Sequence, residues 1–328
     1  MLTGLRRTLT SAALSAGIAW LVGMHVPPAA AQLKPSDVVT SIKPVHSLVA
    51  SVMQGVAMPQ LIVQGTGSPH AYKLKPSEAR LLSNAKLVFY VDDNYEAFLA
   101  QPLKGLAAKA KIVALMDQPG MTILKNRTGG AWDAHDHKHD QGRKPAATPP
   151  HDHGDHADAN VHVWLDPTNA AAMVDAIVKN LSALDAANAA AYARNGETVK
   201  AELRALDAEI SRSLAPLKGK PFVVFHDAYH YFEARYGLNA VGSVTLSPEH
   251  APGARRLTEL RARIRVAKAE CLFREPQFKP AIAESIAKDT GARLGTLDSL
   301  GADLPAGPAM YASLLRQLAA GLEACLNR

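Results

Sequence analysis

Apolar runs and helical patterns alternate along most of this chain. Short β-branched or apolar runs at 38–42, 61–63, 87–91 and 112–115 read as strands, and the stretches 45–53, 76–84 and 95–109 between them read as helices. A second series repeats the alternation, with strands at 222–225, 240–244, 271–273 and 294–297 and helices at 229–236, 254–266, 279–288 and 308–325. Such alternation implies strand–helix–strand crossovers and a parallel sheet. The expected fold is therefore α/β, with two lobes, each a roughly four-stranded parallel sheet flanked by helices.

Between the two series the pattern is helical only. Asp166 and Pro167 supply an N-cap and a first-turn proline for a helix reaching about residue 184. A longer run over 187–217 places Tyr192, Val199, Leu203, Leu206, Ile210, Leu214 and Leu217 mostly three or four residues apart. Gly196 weakens this helix by up to about 1 kcal/mol without breaking it. Some thirty residues at 1.5 Å each make a rod of roughly 45 Å, enough to join both lobes and restrict hinge motion between them. The organisation expected is a first lobe over 32–184, a long rigid linker helix over 185–217 and a second lobe over 218–328.

The first 31 residues stand apart. Arg6 and Arg7 precede an apolar run over 9–26, followed by Pro27, Pro28 and Ala29-Ala30-Ala31. This is the pattern of a secretory signal peptide cut before Gln32. A membrane anchor is the competing reading, but small and hydroxyl residues interrupt a run barely long enough to span. No cysteine near the cleavage point offers a thiol for lipid, so the mature protein is expected to be a soluble monomer of the periplasm.

Only Cys271 and Cys325 are present. An even cysteine count in an exported chain points to a disulfide, which would stabilise the fold by about 4 kcal/mol in the chain-entropy model. The absence of Cys-x-x-Cys spacing argues against a thiolate zinc site. The chain carries 36 Lys and Arg against 30 Asp and Glu, a net charge of +6, and loss of Arg6 and Arg7 leaves +4 spread along its length. That balance gives no reason to expect nucleic acid as a partner.

Residues 133–162 change the picture, because they hold seven of the thirteen histidines. Six of them, His135, His137, His139, His151, His153 and His156, are interleaved with six aspartates between the breakers Gly129-Gly130 and Pro149-Pro150 and beyond. Imidazole is a borderline-soft nitrogen ligand suited to zinc, copper or nickel, so an insertion over 133–160 reads as an auxiliary, low-affinity metal-binding segment. A merely solvated linker is the plain alternative.

Three histidines outside this tract share a position. His70 follows a strand in the loop Gly65-Thr66-Gly67-Ser68-Pro69-His70, His162 precedes the helix opened by Asp166-Pro167, and His226 ends the strand 222–225. Ligands of open parallel sheets bind beyond the carboxyl ends of the strands, and Asp298 stands at such an end in the second lobe. Three imidazoles and a carboxylate drawn from both lobes would make a four-coordinate site. His230, His46 and His250 read instead as a spare ligand and two structural residues. Trp164, Tyr229 and Phe225 read as shields around the site.

These segments in this order resemble a family: the zinc-binding proteins of bacterial ABC importers, the ZnuA type of the cluster A-I metal-binding solute-binding proteins. The resemblance runs over about 38–325. It is carried by Ser68-Pro69-His70-Ala71-Tyr72 with Lys75-Pro76-Ser77, by His162-Val163-Trp164-Leu165-Asp166-Pro167, by Phe225-His226-Asp227-Ala228-Tyr229 and by Gly295-Thr296-Leu297-Asp298-Ser299-Leu300-Gly301. Pro248-Glu249-His250-Ala251-Pro252-Gly253-Ala254, Glu275-Pro276-Gln277-Phe278 and the His-rich insertion add to it.

The resemblance implies a non-enzymatic carrier that takes Zn2+ as its transported ligand in an interlobe cleft and delivers it to a membrane permease driven by an ATPase. It also implies that His70, His162 and His226 ligate the metal, with Asp298 as the carboxylate position. One departure is Pro69, where some zinc members have Glu, so the fourth donor is Asp298, water or a histidine of the tract. Manganese members carry a carboxylate where this chain has His226, and nitrogen-rich ligation favours zinc. Another divalent metal remains an alternative, as does a zinc-dependent hydrolase, although no His-Glu-x-x-His pair or general base is evident.

Overall fold

The computed structural model describes Met1, 33–128, Trp132, His156, 158–245, Pro248 and 251–327. The expected signal segment beyond Met1, and His135, His137, His139, His151, His153 and His250, lie outside the described residues. Among the described residues no helix is long and apolar enough to cross a membrane.

The first lobe runs β1 (Val38–Thr40), α1 (Lys43–Val52), β2 (Gln60–Leu61), α2 (Pro76–Asn84), β3 (Leu87–Tyr90), α3 (Ala100–Gly105) and β4 (Lys111–Ala114). All its strands are parallel, in the order β2-β1-β3-β4. Every residue of β1 and β3 is buried, as expected of central strands covered on both faces. Then come α4 (Pro167–Leu184) and α5 (Ala189–Leu214). The second lobe runs β5 (Pro221–Val224), α6 (His230–Tyr236), β6 (Asn239–Ser243), α7 (Ala254–Ala267), β7 (Cys271–Arg274), α8 (Ala281–Thr290), β8 (Arg293–Thr296) and α9 (Met310–Leu326). Its sheet is again parallel, in the corresponding order β6-β5-β7-β8.

The long helix forms as the apolar spacing predicts. Its buried residues are Tyr192, Gly196, Val199, Leu203, Leu206, Ile210 and Leu214, one stripe along 26 residues, and short 3-10 turns extend it at both ends. It packs on α1 and α4 on one side and on α6 and α9 on the other. Gly196 does more than weaken the helix, since a Cβ there would meet Val178 Cγ2 of α4 at 2.5 Å. Its missing side chain is what lets the two helices approach.

One hydrophobic core passes through both lobes, taking in Val38, Phe89, Trp164, Tyr192, Phe222, Phe273 and Leu314. The other face of the second sheet, with Val223, Phe225 and Leu272, forms a smaller core under α7 and α8 with Leu260, Ile264 and Ile286. Cys271 and Cys325 are joined in a disulfide that fastens α9 to β7.

One helix is shorter than the sequence pattern predicts. The stretch 95–109 yields a 3-10 turn (Ala97–Leu99) and the six residues of α3. Pro102 has no N–H to give the carbonyl of Phe98, so a helix begun at Tyr95 cannot propagate. Glu96 instead turns its buried carboxylate back to accept from the N–H groups of Val91 and Asp92.

Candidate metal centre

His70, His162 and His226 converge. Each offers a ring nitrogen, and the three nitrogens lie within 4.8 Å of one another, the group with metal-ligand character among the described residues. The ring centroids are separated by 5.6 Å for His70 and His162, 5.7 Å for His70 and His226, and 5.1 Å for His162 and His226.

Local sequence explains each placement. His70 sits in the 3-10 turn Pro69–Ala71, opened by a proline preset for it. Two residues on, the Tyr72 hydroxyl donates to Glu78 at 2.7 Å, and Glu78 also caps Lys75 N at the start of α2, so the turn is fastened to a helix end. His162 leads the turn Val163–Leu165 into α4, whose Asp166 accepts from Thr168 N at 2.7 Å. Asn169 holds that turn by donating to the carbonyls of Thr122 and Val163. His226 leaves β5 at its carboxyl end, with Thr245 N donating to the preceding Phe225 carbonyl.

Hydrogen bonds fix which nitrogens face inward. Asn160 donates its Nδ2 to the Asp227 carbonyl at 2.7 Å, while its Oδ1 accepts from the His162 peptide N–H at 3.1 Å. A carbonyl only accepts and a peptide N–H only donates, so this amide has one orientation. Its oxygen then accepts from His162 Nδ1 at 3.1 Å, which places the proton on Nδ1 and the lone pair on Nε2. His226 Nδ1 likewise donates to the Glu275 carboxylate at 2.7 Å. The two Nε2 atoms face each other at 3.3 Å. Two nitrogens about 2.05 Å from one tetrahedral zinc would stand about 3.3 Å apart. His70 Nε2 is buried with no hydrogen-bond partner.

Burial keeps His70 and His162 neutral. Burial, and secondarily the nearness of His226, lowers the His70 pKa to about 3. Burial lowers His162 well below the ordinary imidazole value, with His226 and His70 adding to the effect. The lone pairs of these two rings are thus available at neutral pH. Aromatic rings enclose the cluster: Tyr95 lies 4.8 Å from His70 and 5.5 Å from His162, Trp164 lies 5.3 Å from His162, and Phe278 lies 5.9 Å from His226. Phe225 stacks on Phe278 at 4.9 Å rather than on the histidines themselves.

Asp298, expected as the carboxylate of the site, is not brought into the cluster. Its oxygens accept from Gln277 Nε2 at 2.7 Å, Leu300 N at 2.9 Å and Ala302 N at 2.5 Å, so the carboxylate caps its own loop. Lys43 of the first lobe grips that loop by donating to the carbonyls of Gly301, Ala302 and Leu304. Two residues have roles that the sequence did not assign, although Glu275 lies in a segment that carries the resemblance. Glu275 directly follows β7, the same strand-end position that singled out Asp298. Asn160 stands two residues before His162, and nothing in its spacing marks it.

Of the tract, His156 is described, and its Nε2 lies 2.9 Å from Asp117. His46 is buried with Nε2 on the Pro59 carbonyl at 3.2 Å, a structural role. His230 lies outside the cluster, in the first turn of α6.

Comparison with known proteins adds the family context. A family model described as the zinc-uptake complex component A, periplasmic, matches residues 38–325. The high-affinity zinc uptake system protein ZnuA of Brucella suis is 44% identical over 306 residues, covering 89% of this chain and 92% of that protein. A crystal structure of ZnuA superposes with a TM-score of 0.71 at 26% identity, covering 88% of this chain and 98% of the other. The laminin-binding protein Lmb of Streptococcus agalactiae, described as having adhesin and metal-transporting activity, gives a TM-score of 0.71 at 25% identity over 88% and 98% of the two chains.

Proposed function

Because the chain belongs to the ZnuA family of periplasmic zinc-uptake components, we propose that it captures Zn2+ between its lobes with His70, His162 and His226 and delivers it to the permease of an ABC importer. The observation that carries this reading is the facing pair of Nε2 atoms at 3.3 Å, with both Nδ1 protons held by acceptors behind them. Two imidazoles aimed at one point, with a third beside them, suit a divalent cation of borderline softness. The fourth donor in this reading is water, with Asp298 reached only by exchanging its bonds to Gln277, Leu300 N and Ala302 N. The ATPase is met through the permease, and the chain acts as a monomer, exported by a signal peptide cleaved before Gln32. The lobes meet the linker helix near residues 184 and 218.

The tract histidines serve as a low-affinity antenna that raises local zinc. Deleting 133–158 would then slow loading at limiting zinc while leaving the tight site intact, and unchanged loading would count against the antenna. Transport rather than hydrolysis is supported by the engagement of Glu275, the carboxylate beside the cluster, with the His226 ring.

Calorimetry with metal analysis on the mature protein tests the reading. One tight zinc per chain is expected, retained on deletion of the tract and lost in His226→Ala, with manganese bound far more weakly. Tight binding that vanished with the tract and survived His226→Ala would assign the metal to the insertion and remove the cleft site.

A further inference from the structure

The His-rich insertion springs from a two-stranded stem, and that stem reaches across the cleft. Lys125 and Ala159 form an antiparallel bridge, flanked by Asn126 N donating to the Asp158 carbonyl at 2.7 Å and Asn160 N to the Leu124 carbonyl at 2.8 Å. Facing it is the segment 227–233 of the second lobe, which continues directly from His226. Leu124 N donates to the Tyr231 hydroxyl at 3.0 Å, and that hydroxyl donates to the Asn160 carbonyl at 2.8 Å. Arg127 pairs with both Asp227 and Glu233 and lies 3.6 Å beneath the Trp132 ring.

One side chain joins this interface to the metal centre. The Asn160 amide holds the Asp227 carbonyl with its nitrogen and the His162 ring with its oxygen. Turning the amide to serve one partner differently breaks the other bond. The orientation of a first-lobe ligand and the grip on the second-lobe segment bearing His226 are therefore set by the same group.

Resting on the zinc-carrier reading, we propose that Asn160 is a positioning residue and the stem of the insertion a latch. While the stem is seated on 227–233, the Asp227 carbonyl holds the Asn160 nitrogen and so steadies the oxygen that accepts from the His162 ring, and metal residence time lengthens with the time the stem stays seated. Separation of the lobes breaks the Asn160–Asp227 bond together with the Tyr231 and Arg127 contacts, leaving the amide that orients the His162 ring held from one side alone, which couples release of the ion to opening.

Two variants separate the parts. Asn160→Ala removes both amide bonds. Tyr231→Phe removes only the hydroxyl between Leu124 and Asn160 and leaves the Asn160 side chain in place. Zinc dissociation is followed by transfer to a fluorescent chelator, and the ring nitrogens are followed by 15N NMR of histidine-labelled, metal-free protein. Asn160→Ala is expected to release zinc about 10–100 times faster, the range for an outer partner of a ligand, and to lose the single Nδ1–H signature of His162. Tyr231→Phe is expected to release zinc several-fold faster with that signature retained. Dissociation within twofold of the parent in both variants, or an unchanged His162 signature in Asn160→Ala, overturns the proposal. Failure of the parent protein to hold one zinc in a His226-dependent way overturns the carrier reading instead.

Discussion

The indole Nε1 of Trp164, two residues past His162, donates to the carbonyl of Ser299, one residue past Asp298, at 2.9 Å. This bond ties the turn that carries a histidine of one lobe to the loop that carries the acidic residue of the other. Tyr311 reinforces it from α9 by donating its hydroxyl to the Trp164 carbonyl at 2.6 Å. The two lobes are thus sewn beside the three histidines as well as along the linker helix.

Trp164→Phe keeps most of the buried ring and removes the donor. The Ser299 carbonyl is left without its partner, at a cost of about 1–3 kcal/mol. Urea unfolding should show that loss, with zinc stoichiometry preserved. An unchanged midpoint would mean that the loop finds another donor.

The lowered pKa values of His70 and His162 set the pH response of the metal-free protein. Unfolded imidazoles take up protons near pH 6.5, whereas the folded rings resist protonation far below that, to about 3 for His70. The unfolded state therefore binds more protons in this window, and stability falls as pH drops below about 6.5. Each ring contributes up to about 1.4 kcal/mol per pH unit once the unfolded form is protonated. Denaturant melts between pH 7.5 and 5.5 should show the decline, and His70→Gln should flatten it. A slope untouched by that substitution would assign the decline to other groups.

Gly196→Ala sets helix propensity against packing. Alanine favours the isolated helix by about 1 kcal/mol. Its Cβ, however, would stand 2.5 Å from Val178 Cγ2, and overpacking of that kind costs about 1–3 kcal/mol. The variant is expected to be less stable than the parent, and adding Val178→Ala should recover part of the loss in a double-mutant cycle.

Reduction of the Cys271–Cys325 bond releases a connection spanning 54 residues. The chain-entropy model puts its contribution at about 4 kcal/mol. The melting temperature should fall in reductant while zinc binding at saturating metal persists, because the bond joins β7 to α9 away from the three histidines. Loss of stoichiometric binding on reduction would show that α9 positions the site.

The strands were legible because each is a short β-branched or apolar run between helical patterns, and the observed limits lie within about two residues of the expected ones. Helix α2 coincides with its expected span because Pro76 opens it and Glu78 closes the capping box. The stretch from Tyr95 was overextended because its apolar pattern persists through Pro102, while local hydrogen bonds of Glu96 decide the backbone. The three convergent histidines were legible from strand-end position and family resemblance together. The fate of Asp298 was not, since a carboxylate two residues past a strand can point into a cleft or cap its own loop, and only the backbone path decides. Asn160 was invisible for a similar reason: its role depends on a carbonyl 67 residues away.

The division of the second lobe's packing has its own consequence. Among the described residues, Val223, Phe225 and Leu272 belong to a smaller core apart from the main one, covered mainly by α7 and α8, with Phe278 stacked on Phe225. A layer with its own small core can open while the rest of the molecule stays folded. Hydrogen exchange should therefore find the amides of α7 and α8 exchanging at a lower free energy than those of α1, α5 and α9. The far wall of the second lobe can thus breathe while the main core stays closed.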